Sequence, residues 1–185
     1  DERVIIDPVS GDAFLIPVPD TLSHAAVGLV EPWACVESAY ITEERNTVLP
    51  GGKLLVAAES GFTVSDLTKC LGTEGAPASV TLYAAQSSHT DQAAALGCPV
   101  QEVATLDELP DAGFDDIIYF GASKATLDVL NDKLAPSGIM NVVLAGQTIG
   151  EEVLVGVGRI HYGLCRWIGT TTADAADSYQ YIPPD

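Results

Sequence analysis

A doubly wound α/β fold built on a parallel sheet is predicted by three observations. Short β-branched or apolar runs alternate with helix-period patterns, Gly- and Pro-containing turns separate them, and each run except in the last region is followed by a connection long enough for a helix. Parallel strands need such crossovers because a tight hairpin cannot return the chain to the same end of the sheet. With 185 residues there is room for one domain with a short appendage and a full core.

The first strand is Lys53-Leu54-Leu55-Val56-Ala57-Ala58, launched by the turn Pro50-Gly51-Gly52. Val64, Leu67 and Leu71 then fall at i, i+3 and i+7, which predicts a helix ended by Gly72 or Gly75. Ser79-Val80-Thr81-Leu82-Tyr83-Ala84 is the second strand. Thr90 to Leu96 is a short Ala-rich helix closed by Gly97, and Val100 to Ala104 a brief third strand. The fourth strand is Asp115-Asp116-Ile117-Ile118-Tyr119-Phe120, stopped by Gly121. Ser123 caps the next helix, whose apolar face carries Leu127, Leu130 and Leu134. After the turn Pro136-Ser137-Gly138, Ile139 to Ala145 forms a fifth strand ended by Gly146, and Leu164 to Thr170 a sixth. The doubly wound domain spans 46–175.

The first 45 residues have a different character. Val4-Ile5-Ile6 and Phe14-Leu15-Ile16 are short extended pieces split by Pro8 and Gly11, and Pro17 and Pro19 keep the chain extended. Asp20, Thr21 or Ser23 starts a helical stretch to about Glu44, broken near Pro32. This 1–45 segment reads as a lead-in from another domain, and 176–185 as an exit tail ending Tyr181-Ile182-Pro183-Pro184-Asp185. The start, Asp1-Glu2-Arg3-Val4, has no initiator Met, basic region or long apolar run, so it reads as a mature or excised segment.

Composition narrows the function. Eight Lys and Arg against 26 Asp and Glu leave a net charge of −18, which argues against nucleic acid or anionic lipid as main partner. The acidity also fits a protein kept soluble in salty surroundings. A 47% apolar content excludes a disordered chain, and no apolar run reaches the ~20 residues of a membrane-spanning helix. Cys35, Cys70, Cys98 and Cys165 contain no close pair, so no zinc ribbon or redox dithiol is encoded locally. They read as free, mostly buried thiols of a cytoplasmic protein.

Several stretches resemble one family in order and spacing. Leu29-Val30-Glu31-Pro32-Trp33-Ala34-Cys35-Val36 resembles the Glu-Pro-x-Ala-Cys-Val segment of zinc-dependent medium-chain dehydrogenases, in the threonine and polyol (sorbitol) dehydrogenase branch. Phe114-Asp115-Asp116-Ile117-Ile118 resembles the family's fourth strand. Lys133-Leu134-Ala135-Pro136-Ser137-Gly138-Ile139 is similar to its turn before the fifth. Gly158-Arg159-Ile160-His161-Tyr162, followed by Ile168-Gly169-Thr170-Thr171, is similar to the closing region of some sugar-phosphate and polyol reductases.

The resemblance implies a six-stranded parallel Rossmann sheet with a short N-terminal lead-in from a missing catalytic domain. It also implies hydride transfer between NAD or NADP and an alcohol or sugar carbon, with zinc in the full-length protein. Cofactor contacts then fall on Ala58, Glu59, Ser60, Gly61, Phe62 and Thr63 for the pyrophosphate, at a helix start. Ala85, Gln86 and Ser87 border the adenosine ribose, Gly121, Ala122, Ala145 and Gly146 the nicotinamide half, and Gly169 and Thr170 close the groove. Glu31 matches a metal ligand, and a homodimer through the sixth-strand edge fits the same family.

Two departures stand out. Family chains are far longer, and the absent part would carry the remaining zinc ligands. One carboxylate cannot hold a catalytic zinc, which takes three protein ligands and an open position, so this segment is expected to be inert alone. The glycine fingerprint G-x-G-x-x-G is also eroded to Ala58-Glu59-Ser60-Gly61-Phe62-Thr63. Thr63 adds bulk where a helix packs on the strand, and Glu59 sets a negative charge beside the pyrophosphate unless it points away. No acid ends the second strand. Ser87, Ser88 and His89 can accept a 2′-phosphate but have no Arg nearby, which leaves NAD against NADP open.

Glu31 reads equally as a ligand or as a helix-start carboxylate. Cys35 reads as core, His161 as a structural histidine in an apolar strand-like run, and His24 and His89 as surface residues. Asp107-Glu108 and Glu151-Glu152 are adjacent pairs that do not face one another on a helix, so they make no acid–base couple. A methyltransferase would want several glycines after the first strand and an acid after the second, and has neither. Two functions stay in play: the cofactor-binding half of a zinc-type alcohol or polyol dehydrogenase, and a non-enzymatic Rossmann-like module, without nucleotide, serving dimerisation or regulation.

Overall fold

The computed structural model describes residues 17–41, 44–84 and 87–180. The extended pieces expected at Val4–Ile6 and Phe14–Ile16, and the exit tail beyond 180, lie outside the described residues. The chain divides into two compact units, one holding the residues up to Glu44 and the other Arg45–Pro183.

The smaller unit carries helices α1 (His24–Gly28) and α2 (Val30–Ile41). Ser23 caps α1 by accepting from the Ala26 N–H at 3.1 Å. The helical stretch breaks at Leu29 and not near Pro32, which stands in the first turn of α2, where a missing N–H leaves no bond unmade. Leu29, Val30, Trp33 and Val36 are exposed on this unit, Trp33 at 72%.

The larger unit is an all-parallel six-stranded sheet in the order β3-β2-β1-β4-β5-β6. Its strands are β1 (Lys53–Ala58), β2 (Ser79–Ala84), β3 (Val100–Glu102), β4 (Phe114–Phe120), β5 (Leu134–Val143) and β6 (Arg166–Thr170). They fall where the sequence places them, apart from shifted ends. Helix α3 (Ser87–Ala94) follows β2, α4 (Lys124–Lys133) follows β4, and α5 (Val157–His161) precedes β6. The expected turn Pro136-Ser137-Gly138 is absorbed into β5 as an irregularity opposite Asp115, with Ser137 at φ 61°. A Cβ on Gly138 would lie 2.8 Å from the Ala135 carbonyl, so the bulge needs glycine there.

Side chains of the central strands alternate between two cores. One holds Leu54, Val56, Val80, Leu82, Ile118 and Phe120; the other holds Leu55, Ala57, Ile117, Tyr119, Met140 and Val142. Helix α4 covers the second through Leu127 and Leu130, with Ser123 as its N-cap. The helix expected over Val64–Leu71 is not formed. Only a single 3₁₀ turn, Leu67–Cys70, interrupts this connection. Asp66 is the reason: its carboxylate accepts from the Thr68 N–H at 3.0 Å, so helical structure starts only at Leu67 and ends before Gly72. Val64, Leu67 and Cys70 still bury themselves on the first core at a period of three, which a 3₁₀ turn satisfies as well as an α-helix. A second 3₁₀ turn, Ala175–Ser178, packs beside it. The Ala175 N–H donates to Ser65 Oγ at 3.0 Å, and Asn141 Nδ2 to the Ala175 carbonyl at 3.0 Å.

Three of the free thiols, Cys70, Cys98 and Cys165, are buried or half-buried, whereas Cys35 is exposed, against its expected core role. His89 is buried on α3 with both ring nitrogens unpartnered, and so is not the surface residue expected. The one-sided spacing of an eight-residue helix packed on β2 carries it inward. His161 is exposed on α5, edge-on to Tyr162 at 4.6 Å, and does not belong to a strand. No helix among the described residues is long and apolar enough to cross a membrane.

The amino end of β1 and the segment leading into it are tied to β4 by two acids. Asp115 Oδ2 accepts from the Lys53 N–H at 2.8 Å. Asp116 accepts from the Leu49 N–H at 2.7 Å and from the Arg45 guanidinium at 2.8 and 3.0 Å. Burial pushes the Asp116 carboxyl up to about 6, against the opposing pull of Arg45 and the Leu49 N–H. Because its folded pKa lies above the unfolded one, the native state binds this proton more tightly. The contribution is complete below about pH 4 and is lost as pH rises through about 6. Urea unfolding across this window is expected to show a component that falls by about 1.4 kcal/mol per pH unit and is missing in Asp116→Asn. Parallel profiles for the two proteins would refute it.

Candidate functional site

The sheet order reverses between β1 and β4, whose neighbours lead away in opposite directions. In open α/β sheets a crevice opens outside the carboxyl ends of the strands at this step. Ala58 and Phe120 end the two strands side by side, and the ladder continues one residue further, the Glu59 N–H donating to the Phe120 carbonyl at 2.9 Å. The chain then turns sharply. The Phe62 N–H returns to the Glu59 carbonyl at 3.1 Å, with Gly61 at φ 89°, a conformation that favours glycine.

The Glu59 side chain spans the step. Its Oε1 accepts from the Tyr119 hydroxyl at 2.6 Å and from Thr126 Oγ1 at 3.1 Å, and its Oε2 from the Ala122 N–H at 3.2 Å. The Tyr119 hydroxyl in turn accepts from the Ser123 N–H at 2.9 Å. Burial, and then the bond to Glu59, push the Tyr119 hydroxyl well above its ordinary range, so it keeps its proton and acts as a donor. Gly121 makes this possible: a Cβ there would lie 2.4 Å from the buried Tyr119 ring.

The sites read from the sequence sort as follows. Ala58, Glu59, Gly121 and Ala122 meet at the β1–β4 step. Ser60, Gly61, Phe62 and Thr63 form the turn and the irregular chain beyond it; Phe62 packs on the first core while Ser60, Gly61 and Thr63 are exposed. No helix begins there, so the expected helix-start contact with a pyrophosphate is overturned by the late start that Asp66 imposes. Ala145 and Gly146, both at positive φ, stand just past β5, anchored by N–H bonds to the carbonyls of Thr172 and Thr171. Thr170 ends β6 beside them. Gly169 lies inside β6, where a Cβ would come within 2.9 Å of the Val142 carbonyl. Ser87 begins α3, and Ala85 and Gln86 lie outside the described residues. Ser123, read from the sequence as a helix cap, also joins this cluster through its N–H, whereas Tyr119 and Thr126 escaped the sequence reading of the site. Their only signal was a Tyr two residues before a Gly, indistinguishable from ordinary strand packing.

Glu31 lies in the smaller unit, exposed on α2. Its Oε1 accepts from Cys35 Sγ at 3.1 Å, and this contact with Glu31 raises the Cys35 thiol pKa, holding it protonated. Two donors one helical turn apart do not make a zinc centre, and no group of three or more His, Cys, Asp or Glu able to hold a metal occurs among the described residues. By themselves the described residues do not fit a metal.

No protein-family profile matches the chain. It is 24% identical over 189 residues to the uncharacterized protein YggP of Escherichia coli, covering 85% of this chain and 44% of that one. Among solved structures it is similar to an alcohol dehydrogenase zinc-binding domain protein from Burkholderia ambifaria (17% identity, TM-score 0.48, 71% of this chain and 36% of that one). It is also similar to the alcohol dehydrogenase of Aeropyrum pernix (17% identity, TM-score 0.48, 89% and 49%). A third is the acetophenone reductase of Geotrichum candidum, solved with NAD (18% identity, TM-score 0.43, 83% and 43%). The chain spans less than half the length of each of these proteins.

Tyr119→Phe removes the shortest bond to Glu59 and the acceptor of the Ser123 N–H. It is expected to lower stability by about 1–3 kcal/mol in urea unfolding. Gly121→Ala, which forces the buried ring aside, is expected to cost about as much. Wild-type midpoints for both variants would show that the Tyr119–Glu59 bridge does not hold the turn.

Proposed function

We propose that this chain is the cofactor-binding part of a nicotinamide-dependent alcohol or polyol dehydrogenase. The observation that carries the reading is the sheet order, which reverses between β1 and β4 and sets small residues, Ala58, Gly121, Ala145 and Gly146, at or just past the carboxyl ends of the inner strands. Small residues let a flat ring and its ribose approach the backbone closely. The ordered resemblance of the Glu31–Val36, Phe114–Ile118 and Lys133–Ile139 segments to medium-chain dehydrogenases supports the same reading. A bound nicotinamide supplies hydride transfer to or from an alcohol carbon. This chain's residues would seat and orient it, while substrate contacts and most zinc ligands would come from protein outside it, Glu31 being the single ligand it offers. The spacing of the four cysteines, with no close pair, supports a cytoplasmic location.

A second reading, a Rossmann-like module without cofactor that serves dimerisation or regulation, is favoured by one observation. The β1–β2 connection holds no α-helix, so the helix N-terminus that receives a pyrophosphate in such folds is missing.

Calorimetric titration with NADH and NADPH separates the two. The first reading expects saturable binding of at least one, with Kd no weaker than about 1 mM. Absence of binding for both, on this chain and on a longer form of the protein, would leave the second.

A further inference from the structure

We propose that Glu59 sets the ligand specificity of the switch-point crevice, holding a carboxylate where a nucleotide's phosphate groups would dock and so disfavouring phosphorylated ligands. The inference rests on reading this crevice as a nucleotide site.

Three observations carry it. First, Glu59 is the residue immediately beyond β1, and its backbone is fixed there by the bond to the Phe120 carbonyl. The turn after the first strand of such sheets is where phosphates approach the backbone. Second, the side chain crosses the step and takes up the donors that line it. The Ala122 N–H, the Tyr119 hydroxyl and the Thr126 hydroxyl are all satisfied by the one carboxylate. An arriving phosphate finds those donors engaged. Third, the partners of the carboxylate are neutral. None of the ion pairs among the described residues involves Glu59, so its charge is solvated by hydrogen bonds and not cancelled by a cation. On a half-buried side chain that charge repels a pyrophosphate over several ångströms more strongly than it would in bulk water.

The position is constrained on both sides. Tyr119 comes from β4 and Thr126 from α4, and Gly121 leaves the space the Tyr119 ring needs. The carboxylate is therefore held across the step by groups from two elements, and is not a loose surface charge that swings aside freely.

The test compares wild type with Glu59→Gln, which keeps the side-chain shape and one acceptor while removing the charge, and with Glu59→Ser, which removes the acid altogether. Far-UV circular dichroism confirms that each variant folds. Calorimetry then uses NADH, NADPH, inorganic pyrophosphate and adenosine. Both variants are expected to bind NADH, NADPH and pyrophosphate at least about tenfold more tightly than wild type, with no matching gain for adenosine. If pyrophosphate gains in the variants and neither dinucleotide binds, the role of Glu59 stands and the nicotinamide reading falls. Unchanged or weaker binding of pyrophosphate and the dinucleotides in the variants overturns the role of Glu59, even where the dinucleotides bind wild type. An equal gain for adenosine overturns it as well, because the effect would then be one of space and not of charge.

Discussion

Strand β1 is the constraint from which the rest of the larger unit follows. It lies between β2 and β4, and Leu54 to Ala58 are buried on alternating faces in two different cores. A strand with no exposed face cannot slip by one residue without exchanging the two cores, so its register is strongly specified. Carboxylates pin it at both ends. Asp115 and Asp116 of β4 hold the amino end, and Glu59, reaching from β1 back to β4 and α4, holds the carboxyl end.

The two ends do this at different cost. At the amino end Asp116 is buried against Arg45, and the pair exists only because the guanidinium and a backbone N–H replace the water the carboxylate gave up. At the carboxyl end the Glu59 acid is only half-buried, but it lies in the part of the fold where ligands of such sheets bind. Topology makes that crevice; the chemistry within it comes from the first turn. Here the turn offers a carboxylate and no helix, so the recognition expected of the architecture and the recognition available to its side chains point in different directions. The Glu31–Cys35 contact on α2 has the same character: the carboxylate read from the sequence as a metal ligand is engaged by a neighbouring thiol.

Much of the fold was legible from the chain because its signals are local. The β-branched and apolar runs of β1, β2 and β4 are short and dense, those of β1 and β4 begin directly after a glycine, and Ser123 marks the start of α4 with a cap that needs only the next three residues. The errors have two causes. Val64, Leu67 and Leu71 fit a helical face, but their period also fits a 3₁₀ turn, and the Asp66 cap that decides between them is a competition inside the backbone which apolar spacing does not report. His89 looked like surface and is buried; Cys35 looked like core and is exposed. For single residues, burial depends on which face of an element meets the sheet, and that is settled by packing.

By itself the sequence determined the parallel α/β class, the places of its strands, the eroded glycine loop and the unusual acid within it, since each of these is written in residue types and near-neighbour spacing. Only the tertiary structure decided where that acid points. Glu59 stands 60 residues from Tyr119 and 67 from Thr126 in the chain, and no local pattern couples it to them. They meet because a crossover returns β4 to the side of β1, and because Gly121 leaves room for an aromatic ring beneath the turn.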